Sequence, residues 1–182
     1  MNSAHEHHCF SSKQIVMVNQ AVAMAEELVS NYFKMSDYQW LRPKYDVKTQ
    51  IDLKPNEVVD GPFAQIIRYE GKRKGSSLGS EAYDFYKICL QDTSILKVLA
   101  KAPQLELMPF CLYIITHELI HIVRFSKFLQ SFDANPQEKL SEEHRVHDIT
   151  HQILIDVKTV GLETVLNYFQ QWRLPIVDHF DP

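Results

Sequence analysis

The order of apolar and polar residues predicts a chain built mainly of helices and interrupted near its middle by strands. Up to about Lys34, apolar residues return every three or four positions, which indicates one buried helix face, and Ser11 or Ser12 can cap its start. The stretches 63–69 and 83–90 are instead rich in β-branched and aromatic residues. They predict the two strands of an antiparallel hairpin.

The rest of the chain extends this picture. The connection over 37–62 contains proline and glycine and is expected to be irregular, with one short strand near 47–53. The Gly-, Lys- and Ser-rich segment 71–80 is predicted to be a long flexible turn of the hairpin. Further helices are expected near 92–101, 105–129, 137–160 and 162–172. The predicted class is therefore helix-dominated α+β, with a hairpin or small antiparallel sheet beside the helix at 105–129 and the antiparallel helix that follows it.

Composition is that of an ordinary soluble globular protein. Among 182 residues, 45% are hydrophobic and 23% charged, and the net charge of -4 gives no field that would favour nucleic acid or an anionic membrane. Charged and histidine residues interrupt the apolar stretch 105–129, so it predicts a buried helix rather than a membrane span. We expect a disordered tail over residues 1–11 and a single metal-binding domain over 12–182.

The cysteines and the N-terminus bear on the compartment. Cys9, Cys89 and Cys111 are odd in number and widely spaced, with no CxxC pair. The first ten residues have neither a basic region nor an apolar one of the kind that directs export. We therefore expect a cytoplasmic protein.

The segment His117-Glu118-Leu119-Ile120-His121 carries the chemistry. Residues four apart lie side by side on a helix, so His117 and His121 can present two imidazole nitrogens to one ion. Glu118 stays close enough to accept a proton from water at that ion as a general base. Because the surrounding helix is apolar on nearly every side, its polar groups need compensation, and a metal supplies it.

A third ligand is expected from the next helix. If its apolar residues face the core, Glu143 and His147 share one edge of that face, four residues apart. Either can face the ion, whereas His144 and His151 fall further round. The expected cofactor is zinc (Zn²⁺) or another divalent transition metal.

With these residues the sequence resembles the zincin metallopeptidases of the small gluzincin type. In that family an HExxH helix is followed by an antiparallel helix whose glutamate is the third ligand. The resemblance covers roughly 63–160 and implies His117 and His121 as ligands, Glu118 as general base and Glu143 as third ligand. It also implies that an extended substrate lies along a strand that precedes the active helix. The expectation is a zinc hydrolase that acts on a peptide or amide.

Other interpretations use the same residues. The pair His147-Asp148, with His121 and Asp156 or Asp178, loosely resembles the HD-domain phosphohydrolases. Glu118 and His121 also form an ExxH pair like those of four-helix di-iron carboxylate proteins, with Glu143 and His147 as possible further ligands. Such a site also needs a carboxylate from the first helix, where Glu26 and Glu27 are the candidates. Two further interpretations of the site are a structural zinc and a set of histidines without metal.

Two basic features have simple explanations. The segment from Gly71 to Ser77 is basic but does not match a phosphate-binding loop, so we interpret it as a solvated turn. Arg124, on the same side of the helix as His117, can bind a substrate carboxylate, but pairing with a nearby acidic residue is the preferred interpretation.

Overall fold

Five α-helices and three strands make up the part of the chain that the computed structural model describes. That part is residues 9–36, 39, 45–72, 82–127 and 129–173, without the side chains of residues 71–72 and 82–83. The helices are α1 (Ser12–Phe33), α2 (Asp92–Lys101), α3 (Leu107–Ser126), α4 (Pro136–Leu154) and α5 (Leu162–Tyr168). The strands are β1 (Tyr45–Lys48), β2 (Ala64–Lys72) and β3 (Ala82–Leu90), and short 3-10 turns occupy Gln50–Asp52, Pro55–Glu57 and Phe169–Trp172. These elements confirm the helix-dominated α+β class.

Helix α3 forms the centre of the fold. It packs against α1, α4, α5 and β2, and its apolar side chains are buried on nearly all sides. By length and composition it is the one described helix that could cross a membrane, but 83% of its most apolar window is buried inside the protein. That burial fits the core helix of a soluble protein, as the sequence predicts.

Helix α1 shows how local sequence sets the bounds of an element. The Ser11 side chain accepts a hydrogen bond from the backbone N–H of Gln14, and the Gln14 side chain accepts one from Ser11 in return. This capping box satisfies two donors at the helix start. The helix ends at Lys34, which adopts a left-handed conformation. Small residues on the buried face, Ala21 and Ala25, allow close packing on α3.

The strands form a sheet of order β1-β3-β2. The hairpin is confirmed, with β2 and β3 antiparallel and Ile66 opposite Ile88. Strand β1 pairs with β3 in parallel, with Val47 opposite the same Ile88, so the sheet is mixed. The short strand expected near 47–53 therefore lies slightly earlier, and Gln50–Asp52 forms a 3-10 turn instead. Strand β2 is left at the edge of the described sheet.

Helix α4 begins as its sequence dictates but ends sooner than expected. Asn135 caps it in a capping box with Glu138, and Pro136 occupies the first turn. The helix was expected to run to residue 160, yet it ends at Leu154. The β-branched residues that follow, Val157, Thr159 and Val160, have low helix propensity and favour this end. The chain then turns at Gly161, whose φ of 79° starts α5.

The folded domain begins earlier in the sequence than predicted. Phe10 is buried, and its backbone N–H donates to the Asp92 carboxylate at 2.9 Å. With Ser11 acting as a helix cap, the last residues of the tail predicted over 1–11 belong to the folded domain. The remainder of that tail up to residue 8, the hairpin turn over 73–80 and Asp178 lie outside the described residues.

Candidate metal centre

The two histidines of the HExxH segment converge at one point on α3. His117 and His121 are buried, exposing 7% and 5% of their surface, and their Nε2 atoms are 3.2 Å apart. The side-by-side geometry expected from their spacing is present. Two nitrogens held this close can bind a single ion without moving the helix.

Glu143 of α4 brings a third candidate donor group to the same point. One carboxylate oxygen lies 3.2 Å from His117 Nε2, and the other lies 3.2 Å from His121 Nε2. Ligands about 2.0 Å from a tetrahedral zinc are separated from one another by roughly 3.3 Å. Each of these separations has the length of an edge of a zinc coordination tetrahedron, with a different Glu143 oxygen facing each histidine, and the donor set fits that metal.

His117, His121 and Glu143 together are called the cluster below. A buried ion pair holds α4 against α3 beside it. The Arg124 guanidinium donates from Nε to one oxygen of Glu142 and from Nη2 to the other, the latter at 3.1 Å. Arg124 therefore pairs with an acidic residue, as preferred on sequence grounds, and is occupied there. Because Glu142 precedes Glu143, this pair sets the position of α4 at the point where Glu143 meets the histidines.

The electrostatics keep Glu143 ionised. Burial raises the pKa of its carboxyl, but the hydrogen bonds and charges of His117 and His121 outweigh burial and hold that pKa well below its usual range. Burial conversely lowers the pKa of His121, while Glu143 raises it more, helped by Glu118 and Gln130. A deprotonated carboxylate is the form that binds a metal.

One residue outside the predicted set orients His121. The side-chain oxygen of Gln130 lies 3.1 Å from His121 Nδ1. An amide oxygen only accepts hydrogen bonds, so a proton on His121 Nδ1 satisfies this contact. A Glu143 carboxylate oxygen 3.2 Å from Nε2 also only accepts, so Nε2 can bind an ion only when it carries no proton. His117 Nδ1 is buried without a partner among the described residues. Gln130 lies in a loop without periodicity, so no sequence pattern singled it out.

Glu118 lies at the surface of the cavity beside the cluster. It is partly exposed, and no described residue hydrogen-bonds its carboxylate, so both oxygens are available to water or substrate. Burial raises the pKa of Glu118, while the neighbouring His117 and His121 lower it less. A raised pKa makes this carboxylate a stronger base than an ordinary glutamate.

His147 lies near the cluster but is held by a different partner. Its Nδ1 is 2.8 Å from the Tyr113 hydroxyl, and its ring centroid is 4.3 Å from that of His117. One ligand atom each from His117, Glu143 and His147 lie within 4.8 Å of one another, a looser set than the 3.2 Å contacts among His117, His121 and Glu143. Burial, followed by the charge of His117, lowers the pKa of His147 to about 3. The ring is therefore neutral near pH 7.

A cavity of about 620 Å³ opens over these groups. Its lining is mostly apolar and includes the segment 61–66 at the start of β2, together with Lys139 of α4. The aromatic residues in its wall are Phe63, Tyr113, Phe125, Phe132, Phe169 and Trp172. The cluster thus faces a site large enough to receive part of a substrate.

Residues of the other interpretations lie elsewhere. His144 Nδ1 contacts the backbone oxygen of Trp172 at 3.0 Å, and Asp148 and Asp156 are exposed. Glu26 accepts a hydrogen bond from the Tyr45 hydroxyl, and neither Glu26 nor Glu27 lines the cavity. None of these side chains joins His117, His121 and Glu143.

Compared with protein-family models, with curated proteins and with solved structures, the chain gives no match. Interpretation of the site therefore depends on the geometry and chemistry of its own residues.

Proposed function

We propose that the protein is a zinc-dependent hydrolase of peptide or amide bonds, in which His117, His121 and Glu143 hold the ion. The observation that carries the proposal is the set of 3.2 Å separations among these three donor groups beside a free carboxylate, Glu118. Three protein ligands leave one tetrahedral position open, which is the arrangement of catalytic rather than structural zinc. When bound, zinc supplies a positive charge that polarises a carbonyl and makes water more acidic.

Other residues of the chain have roles in proton transfer and in holding the ligands in position. Glu118 accepts a proton from the attacking water and delivers it to the departing nitrogen, for which its raised pKa is suited. Gln130 orients the His121 ring through its contact with Nδ1, and the Arg124–Glu142 pair holds α3 and α4 together.

The cavity and the sheet edge support a peptide as substrate. Strand β2 is at the edge of the described sheet, and the segment 61–66 at its start lines the cavity. An edge strand offers backbone donors and acceptors with which an extended peptide can pair. The apolar and aromatic walls suit apolar side chains of that peptide. We further propose that the protein acts in the cytoplasm, in keeping with its three free cysteines.

A structural zinc is the second candidate. It is favoured by the proximity of His147 to His117 and Glu143, because a fourth protein ligand would close the site. In that case the protein would bind zinc without hydrolysing a substrate.

Hydrolysis of a mixed peptide library by the zinc-loaded protein, followed by mass spectrometry, separates the two. We expect cleavage by the unmodified chain, and a loss of several orders of magnitude in Glu118→Gln at unchanged zinc content. Glu163→Gln, which changes an exposed glutamate on α5, is the matched control and should cleave normally. Absence of cleavage by the unmodified chain, or zinc loss in Glu118→Gln in proportion to activity, would refute the hydrolase.

A further inference from the structure

Lys139 is the one lysine or arginine among the described residues that line the cavity. It lies on α4 four residues before Glu143, so the two side chains share one side of that helix. Lys139 is exposed, and its ammonium makes no ion pair or hydrogen bond with any residue that the structure describes. Neither the binding of an ion nor the proton transfer assigned to Glu118 uses this charge.

The charges around the cluster leave Lys139 uncompensated. Glu143 is ionised, and its two oxygens each lie 3.2 Å from a histidine Nε2, so it is engaged away from the lysine. With zinc bound, Glu118 and Glu143 would balance the two positive charges of the ion. The cavity then has one net positive charge, and that charge is on Lys139.

Resting on the proposed function, we propose that Lys139 is a specificity-determining residue that binds a carboxylate of the substrate. The substrate is then a peptide or amide with an anionic group near the bond that is cleaved. The side chain of an aspartate or glutamate and the carboxylate at the end of a peptide offer the lysine the same chemistry.

Helix geometry limits how far this carboxylate lies from the scissile bond. One turn separates Lys139 from Glu143, which is roughly 6 Å along the axis of α4. An extended peptide advances roughly 3.3 Å per residue. We therefore expect the carboxylate within about two residues of the bond that is cleaved at the ion.

The opposite end of the cavity has a different character. His147 follows Glu143 by one turn, so it extends the lining away from Lys139. Its ring packs with Phe169 and Trp172, at centroid distances of 6.3 and 6.4 Å. An apolar side chain suits that end, so the carboxylate and the apolar residue are expected on opposite sides of the scissile bond.

Apolar walls also strengthen the attraction at the lysine end. Phe125 lies one turn after His121 on α3, and Phe132 packs against it with ring centroids 5.2 Å apart. Both rings line the cavity. A wall of low polarity lowers the local dielectric constant, so an ammonium attracts a carboxylate more strongly there than in open water.

Four sets of short synthetic peptides test the preference with the zinc-loaded full chain. Two sets contain Asp and Glu and two have Asn and Gln in their place, and each kind is made with a free or an amidated C-terminus. Preference for Asp and Glu with either terminus assigns a side chain, whereas a requirement for a free terminus assigns the terminal carboxylate. Equal or slower cleavage of the anionic peptides overturns the proposal and leaves the hydrolase intact. Cleavage of no set contradicts the proposed function itself.

Lys139→Met removes the charge and keeps an unbranched side chain with high helix propensity. It should lower kcat/KM for a cleaved anionic peptide by roughly 10- to 100-fold, as expected for loss of one charge-assisted hydrogen bond. The matched neutral peptide should be cleaved as before, and Lys139→Arg should keep the preference. Lys97→Met, which changes an exposed lysine of α2 outside the cavity lining, is the control. An equal loss on both peptides in Lys139→Met overturns the role in specificity.

Equilibrium binding measures recognition without turnover. Zinc-loaded Glu118→Gln should bind the peptides without cleaving them, and calorimetry then gives their affinities. We expect the anionic peptide to bind roughly 10-fold or more tightly than its neutral match, and high salt to reduce this difference. Adding Lys139→Met should abolish the difference and leave zinc affinity unchanged. A preference that persists without Lys139 overturns its assignment as the carboxylate-binding residue.

Discussion

Replacing Glu142 with alanine should destabilise the fold far more than replacing Glu143, although the two glutamates are neighbours on α4. Glu142 exposes 9% of its side chain and lies against Arg124, which also exposes 9%. Glu143 exposes 50% of its side chain and faces the cavity. The first residue supports the fold, whereas the second is a proposed zinc ligand.

The magnitude follows from what Glu142→Ala leaves behind. Arg124 would remain buried with a permanent positive charge and without its two-pronged partner. Removing one member of a buried pair costs about 3–5 kcal/mol in the free energy of unfolding. Total stability of a domain is about 5–15 kcal/mol, so this loss is a large share of it. Arg145 lies 3.7 Å from Glu142 but is exposed and contributes little.

Urea unfolding followed by circular dichroism, on metal-free protein, measures the effect. The double variant Arg124→Met with Glu142→Leu is the control, because replacing both members of a buried pair by apolar residues is often neutral or stabilising. We expect Glu142→Ala to be much less stable than the double variant. A loss below about 1 kcal/mol for Glu142→Ala, the amount typical of an exposed pair, would refute this account of the helix contact.

Three further predictions concern other parts of the molecule. Glu143→Ala should weaken zinc binding by roughly 100-fold or more, measured by competition with a chelator. A residue that contacts the ion directly contributes more to zinc affinity than the groups that orient it. Hydrogen bonds from Lys87, from the Lys54 backbone N–H and from Tyr69 lower the pKa of Glu57 to about 2 from an ordinary 4.5. The stability that these contacts provide is therefore present at higher pH and is lost as the pH falls through that window. Glu57→Gln should therefore flatten the dependence of unfolding free energy on pH between these values, and an unchanged slope would contradict the pairing. Gly161→Ala should lower the melting temperature, because the residue has φ +79° and an added Cβ would lie 3.1 Å from Glu106.

Local sequence predicted the parts of the site that depend on one helix. The spacing of His117 and His121 sets their relation on α3 wherever that helix lies, and the apolar residues around them predicted its burial. The choice between Glu143 and His147 could not be made in the same way. Residues four apart share a helix face, and only the register of α4 against α3 decides which one reaches the histidines.

Contacts made by loops or by distant segments left no periodic signal. Gln130 reaches His121 from an irregular connection, and β1 pairs in parallel with β3 across many intervening residues. The hydrogen bond between Tyr113 and His147 also depends on the register of α4 against α3. The sequence around Tyr113 indicates only an aromatic residue of the core. Hydrophobic patterns predicted the elements and the class, whereas these pairings follow from tertiary packing.

Equilibrium zinc binding to the metal-free protein, with stoichiometry from elemental analysis, decides whether His117, His121 and Glu143 form a zinc site. We expect one zinc per chain, with affinity severely reduced in His117→Ala and in His121→Ala and retained in Glu118→Gln. Two ions per chain would indicate a dinuclear site, and zinc content unchanged in both histidine variants would show that these residues do not form the metal centre.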